Sequence, residues 1–273
     1  MRPLALAPRG EFAAVRYVLT DMDDTLTFGG RLPAASYDAL ERLRSGGLKV
    51  FVVTAAPAGW CDQMVRMWPV EGVIGENGGF FFRRGGAYGV LRHFWNGHDQ
   101  RRELFALGKR IVAELPGASL SDDQPFRLAT LAFSKPRDAA VHRAILAALR
   151  RAGLSSTQNG QWLLGWSGGF DKLAMTRRVL ADIDDEAICY CGDAENDVPM
   201  FAAFRHSVGM STVGALSLAH YPNWITDAPG GAGFVEAAGA VLASAGVAAY
   251  PPSERTSASS RSFVPRSREP AST

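Results

Sequence analysis

Two short stretches of the chain concentrate carboxylates. Asp21-Met22-Asp23-Asp24-Thr25 follows the apolar run Tyr17–Thr20, and Gly192-Asp193-Ala194-Glu195-Asn196-Asp197 follows Ala187–Cys191. Carboxylates brought together repel one another unless a cation lies between them, and a donor set of oxygen alone selects a hard ion, Mg²⁺, over zinc or copper. The histidines, His93, His98, His142, His206 and His220, have no metal-ligand spacing. Read as a calcium loop, Asp21–Leu32 carries Leu26 where that loop needs Gly and Leu32 where it needs Glu. The sequence contains neither GxxxxGK[ST] nor GxGxxG, which excludes the usual nucleotide-binding loops. Two more apolar runs end in polar groups: Lys49–Val53 leads into Thr54, and Gly72–Gly75 into Glu76-Asn77-Gly78.

Ligands of an open parallel sheet bind outside the carboxyl ends of its strands, so these four run ends belong at one sheet edge if the runs are parallel strands. The intervening patterns support that. Pro33–Ser45 places Tyr37, Leu40 and Leu43 at helical spacing, and Trp60–Trp68 reads as a helix stopped by Pro69. Beyond Asp171, a helix at Lys172–Ala181 precedes the Ala187–Cys191 strand; Val198–Phe204, His206–Met210, a helix near Ala215–Ala219 and Asn223–Thr226 follow. The alternation predicts an α/β fold, a doubly wound parallel sheet covered by helices on both faces. The middle of the chain differs. Phe80–Arg84 and Tyr88–Phe94 flank Gly85-Gly86 as a hairpin, then come a helix near Arg101–Leu115, a strand at Phe126–Phe133, a helix at Arg137–Arg151 and a strand at Gln161–Trp166. The predicted organisation is a core made of residues 1–82 and 169–249, an inserted α+β domain over 83–168, and a disordered tail over 250–273, where Ser and Pro dominate and only Phe263 and Val264 are sizeable apolar groups.

Composition narrows the function classes. With 29 Lys+Arg against 27 Asp+Glu the net charge is +2, which argues against a dedicated nucleic-acid binder. No apolar run approaches the roughly 18 residues that cross a bilayer, and Pro3, Pro8 and Arg9 interrupt the N-terminus before it forms a signal-peptide core. Three cysteines, Cys61, Cys189 and Cys191, are too few for a disulfide framework and fit a reducing compartment, so a cytoplasmic protein is expected.

VLTDMDDT, then VVT, then Lys172, then CGDAENDVPMF resembles the four ordered motifs of the haloacid dehalogenase (HAD) superfamily of phosphohydrolases, and GENGG at Gly75–Gly79 resembles the capped subgroup IIB that includes Cof-type sugar-phosphate phosphatases. The resemblance implies a Rossmann-like core with an inserted cap and a Mg²⁺-dependent phosphatase of a small phosphorylated metabolite, a sugar phosphate above all, with a phosphosugar mutase as the alternative. It implies Asp21 as nucleophile, Asp23 as the acid and base for the leaving alcohol and the water, and Lys172 as the cation beside the phosphate. It further implies a Mg²⁺ site of Asp21, the carbonyl of Asp23, Asp193 and Asp197, with Thr54 donating its hydroxyl and backbone N–H to phosphate and the amides of Asn77 and Asn196 nearby. Thr54-Ala55-Ala56 departs from the family's common Thr-Gly-Arg. In the insert, His93, Arg127, Lys135, Trp162 and Trp166 are candidates to face the cleft, Trp at strand spacing being more often core.

Overall fold

In the computed structural model the described residues run from Met1 to Ala245, apart from Ala87 and Asn159. The strands are β1 (Arg2–Pro3), β2 (Tyr17–Thr20), β3 (Lys49–Val53), β4 (Gly72–Gly75), β5 (Phe80–Arg84), β6 (Val90–Phe94), β7 (Leu131–Ser134), β8 (Ser155–Gln158), β9 (Trp162–Trp166), β10 (Ile188–Gly192), β11 (His206–Gly209) and β12 (Trp224–Ile225). The helices are α1 (Ala34–Ser45), α2 (Ala58–Met67), α3 (Arg101–Glu114), α4 (Ala139–Arg151), α5 (Lys172–Val179), α6 (Val198–Ala203) and α7 (Gly230–Ser244).

Nine strands form one sheet in the order β1-β12-β11-β10-β2-β3-β4-β5-β6, parallel from β1 through β4. Its central strands are apolar almost throughout because both faces are buried. Alternate residues serve opposite faces. Val18, Val50, Val52 and Val73 pack with Leu40, Leu43, Met64 and Phe234, whereas Leu19, Phe51, Val53 and Ile74 pack with Met175, Met200 and Phe201. The fold is thus the doubly wound α/β core expected, and an α+β insert is present: β7, β9 and β8 form a second, antiparallel sheet. Leu104 and Ile111 of α3 and Ile145 and Leu149 of α4 meet Leu131, Phe133 and Leu163 in a separate core. Among the described residues no helix is long and apolar enough to cross a membrane.

Three local expectations change, and one helix was not foreseen. The hairpin β5–β6 pairs antiparallel onto β4 and extends the large sheet, although its residues from Arg83 onward were expected in the insert. The strand expected at Phe126–Phe133 begins only at Leu131, because the backbone N–H groups of Leu128, Ala129 and Thr130 donate to the Glu76 carboxylate rather than to a neighbouring strand. In place of a helix near Ala215–Ala219 there is a 3-10 turn over Ser211–Ala215. Helix α7, rich in glycine and unsignalled by periodicity, packs on α1, where a Cβ at Gly231 would stand 2.2 Å from Ser36 Oγ. The predicted tail lies outside the described residues.

Candidate active site

Strands β2 and β10 are adjacent, and from them the chain winds outward in opposite directions, through β3 and β4 on one side and β11 and β12 on the other. That reversal opens a crevice at the strands' carboxyl ends. Asp21 leaves β2 there, its N–H donating to the Cys191 carbonyl at 2.9 Å. The 3-10 turn Glu195–Asp197 after β10 carries Asp197 back beneath Asp193. Helix α5 delivers Lys172 at its first residue, capped by the Asp171 side chain accepting from Ala174 N–H at 2.7 Å. A cation is disfavoured at that helix end. Here two carboxylates offset the cost: Lys172 Nζ lies 2.9 Å from Asp21 Oδ2 and 2.7 Å from Asp197 Oδ1, and Lys172 is wholly buried. Burial opposes its charge, but Asp197 and Asp21 outweigh burial and hold the ammonium above its ordinary pKa.

The Asp197 carboxylate is fully engaged. Its Oδ2 accepts from the N–H groups of Asp193 at 2.8 Å and Ala194 at 3.0 Å, and its Oδ1 accepts from Lys172 and the Tyr190 hydroxyl. Asp193 accepts from Thr25 Oγ1 at 2.8 Å. Ligand oxygens of Asp21, Asp193 and Asp197 all lie within 4.8 Å of one another. Burial, then the charges of Asp21 and Asp197, push the Asp193 carboxyl well above its usual range. Burial likewise pushes Asp21 up to about 7 against the pull of Lys172, with Asp197 and Asp23 adding to the rise. Three crowded oxygen donors whose ionisation is suppressed in this way fit a hard divalent cation, which would relieve the repulsion.

Asp23 is half-buried, and burial followed by the Asp24 charge lifts it to about 6. It stands where two hollows meet: a small cleft lined by Asp21, Ala55, Asp193 and Ala194, and a pocket of about 360 Å³ lined by Trp60, Asp122, Asp123, Phe126 and Trp162. Asp23 and Gln161 line both. A larger hollow of about 420 Å³ lies around Pro69, Val70 and Glu71, ahead of β4 at the opposite end of the strands.

The other expected residues converge unevenly. Asn77 and Asn196 are buried, and Asn196 Nδ2 donates to Asn77 Oδ1 at 3.4 Å while Asn196 Oδ1 has no partner. Thr54 is wholly buried, and its backbone N–H already donates to the Ile74 carbonyl at 2.9 Å, so only its hydroxyl, which accepts from Ala56 N–H, is left to meet a phosphate. His93 lies on β6 stacked on Phe81, and Trp166 is buried with its indole N–H donating to the Phe170 carbonyl. Of the aromatic candidates, Trp162 lines the pocket beside Asp23.

Arg127 faces no cleft. It is wholly buried, grips Asp123 through Nε at 2.9 Å and Nη2 at 2.7 Å, and donates through Nη1 to the Ala55 carbonyl and Thr130 Oγ1. Beside it, joining the same Thr130 to the large sheet, stands Glu76, which the sequence shows only as part of GENGG. Glu76, wholly buried, accepts from the N–H groups of Ala58, Leu128, Ala129 and Thr130 and from Thr130 Oγ1 at 2.7–3.1 Å. Its backbone and that of Asn77 are left-handed, φ +46° and +60°, a geometry that costs on the order of 1–3 kcal/mol each for such residues unless neighbours impose it. The left-handed turn, invisible in composition, aims the carboxylate at the insert. Tyr190, in β10 ahead of the second acidic stretch, and Thr25, the last residue of VLTDMDDT, join the site without a role visible in the sequence.

No protein-family model and no curated protein matches the sequence. The fold recurs among solved structures at low identity. Protein 0175 of Thermoplasma acidophilum is 19% identical, with a TM-score of 0.65 over 81% of this chain and 96% of that one. The C-terminal domain of Candida albicans trehalose-6-phosphate phosphatase is 13% identical, with a TM-score of 0.65 over 89% of this chain and 98% of its own. A HAD subclass IIB sugar phosphatase is 15% identical, with a TM-score of 0.56 over 78% and 93%.

Proposed function

We propose that this chain, whose fold is that of the capped HAD phosphatases, is a Mg²⁺-dependent phosphatase of small phosphorylated metabolites, sugar phosphates among them. One observation carries the reading: Lys172 bridges Asp21 and Asp197 with Asp193 alongside, and Asp23 stands at the mouth of an adjoining pocket. Asp21 and Asp193 would hold the ion with the Asp23 carbonyl, and Asp197, its oxygens spent on four donors, would fix Lys172 and the Asp193 backbone behind them. When bound, Mg²⁺ supplies positive charge to the phosphate oxygens and favours ionised Asp21.

Asp21 Oδ2 is held by Lys172 and Oδ1 by Met22 N–H, which orients the carboxylate for attack on phosphorus. As the new O–P bond forms and the ester P–O bond breaks, Asp23 gives its proton to the departing alcohol oxygen. Asp23 then takes a proton from water, which displaces Asp21 and releases inorganic phosphate. Lys172 and the Thr54 hydroxyl stabilise the charge spread over the transferring group. The inserted domain covers the crevice and surrounds the leaving group.

The test is phosphate release from a panel of phosphate monoesters with Mg²⁺. Turnover should vanish with EDTA and fall more than about a hundredfold in Asp21→Asn, consistent with the loss of a nucleophile rather than of a single proton donor. Activity surviving in Asp21→Asn would sink the assignment, and an isomerised sugar phosphate without phosphate release would mark a mutase.

A further inference from the structure

We propose that the pocket beside Asp23 reads the charge of the leaving group and selects phosphate monoesters whose alcohol carries an ammonium, an amino sugar or amino alcohol; this rests on the phosphatase reading above. The pocket's walls come from both domains. Trp60, in the first turn of α2, and Phe126, in the turn before β7, are 52% and 58% exposed, although large aromatic groups are ordinarily covered. Trp162 lines the same space, with the Arg127 guanidinium 5.5 Å from its ring centre. Aromatic faces around a hollow attract cations through their ring quadrupoles and attract anions not at all.

The charges point the same way. Asp122 and Asp123 line the pocket with Asp23, and no Lys or Arg does among the described residues. The Arg127 guanidinium beside Trp162 is spent on Asp123, the Ala55 carbonyl and Thr130 and has no exposed surface, so it offers a substrate anion nothing. Asp123 is paired with Arg127, whereas Asp122, which is exposed, makes no ion pair among the described residues. Lys135, whose backbone N–H donates to the Gln161 carbonyl, is not among the residues that line the pocket. Because Asp23 and Gln161 belong to both hollows, a phosphate seated by Asp21 leaves the alcohol in this pocket. A carboxylate there meets repulsion, a hydroxyl meets an acceptor, and an ammonium meets attraction from the carboxylates and the rings together.

Glucosamine 6-phosphate, glucose 6-phosphate and 6-phosphogluconate share carbon number and phosphate position and differ in charge. The expected order of kcat/KM is amine, then neutral, then carboxylate, with on the order of fivefold to tenfold between steps, the size of one screened charge pair across a pocket mouth. Asp122→Asn should flatten the series, Asp122→Lys should favour the carboxylate, and 0.5 M salt should compress the wild-type ratios. Trp60→Ala should raise KM for the amine ester more than it lowers kcat. Any wild-type order without the amine on top, or ratios unmoved in Asp122→Lys, overturns the proposal while phosphate release upholds the phosphatase. The Kd values of the three esters for Asp21→Asn with Mg²⁺ separate the failures. The same charge order in binding, with no turnover by wild type, would keep the pocket and reject the phosphatase; no order in binding would reject the pocket.

Discussion

Glu76 sits in a demanding environment, a buried carboxylate on a left-handed backbone with five donors converging on two oxygens. Glu76→Gln tests what those bonds contribute. Ala58 and Leu128 N–H share one oxygen and Ala129 and Thr130 N–H the other, so the amide NH₂ must face two backbone donors whichever way it turns. Leaving them unpaired should cost about 2–4 kcal/mol, read as a lower urea midpoint at unchanged slope. A midpoint equal to wild type would show that the cluster contributes nothing. The sequence makes Asp21, Asp23, Asp193 and Asp197 visible because their spacing within each motif is local. Glu76 has no such spacing: Ala58 stands well before it and Leu128, Ala129 and Thr130 more than fifty residues later, and beside Asn77-Gly78 it reads as one more polar turn residue.

Elements place the site through a few close approaches. The turn Glu76–Gly78 lies against the start of α5, and Gly78, at φ +108°, has so little room that a Cβ would stand 2.2 Å from the Asp171 carbonyl oxygen. Gly78→Ala should therefore displace the residue before Lys172, lowering both stability and phosphate release, and a crystal structure of the variant should show the Lys172 Nζ to Asp21 distance lengthened. Unaltered activity would mean that α5 tolerates the shift. Strands β2, β3, β4 and β10 were legible because each is an unbroken apolar run buried on both faces. Ser155–Gln158 was not, since SSTQ has no apolar residue and is a strand only because β9 pairs with it. The segment ahead of β7 misled for the opposite reason: its residues suit a strand, but a distant carboxylate claims its N–H groups.

For the molecule as a whole, the acidic cluster ties stability to metal and pH. Asp21 and Asp23 titrate in the folded protein at about 7 and about 6, above their unfolded value of 3.8. Groups raised in this way stabilise fully below the unfolded pKa, and that contribution is lost as pH rises through the folded values. In EDTA the melting temperature should fall between pH 4 and 7. Saturating Mg²⁺ should raise it by several degrees and flatten the fall, since a ligand bound at about a hundred times its Kd adds about 2.7 kcal/mol. A metal-insensitive melting curve would remove the ion from the site. The bonds from Glu76 to residues 128–130 and from Arg127 to Ala55 run between the two sheets, so each half of the junction completes the other's hydrogen bonding. The insert is therefore not an exchangeable module. A cap grafted without residues 127–130 would leave the Glu76 carboxylate with the Ala58 N–H alone and the Ala55 carbonyl without its Arg127 donor, so altering specificity here calls for changing the pocket walls in place, or for moving turn and insert as one piece.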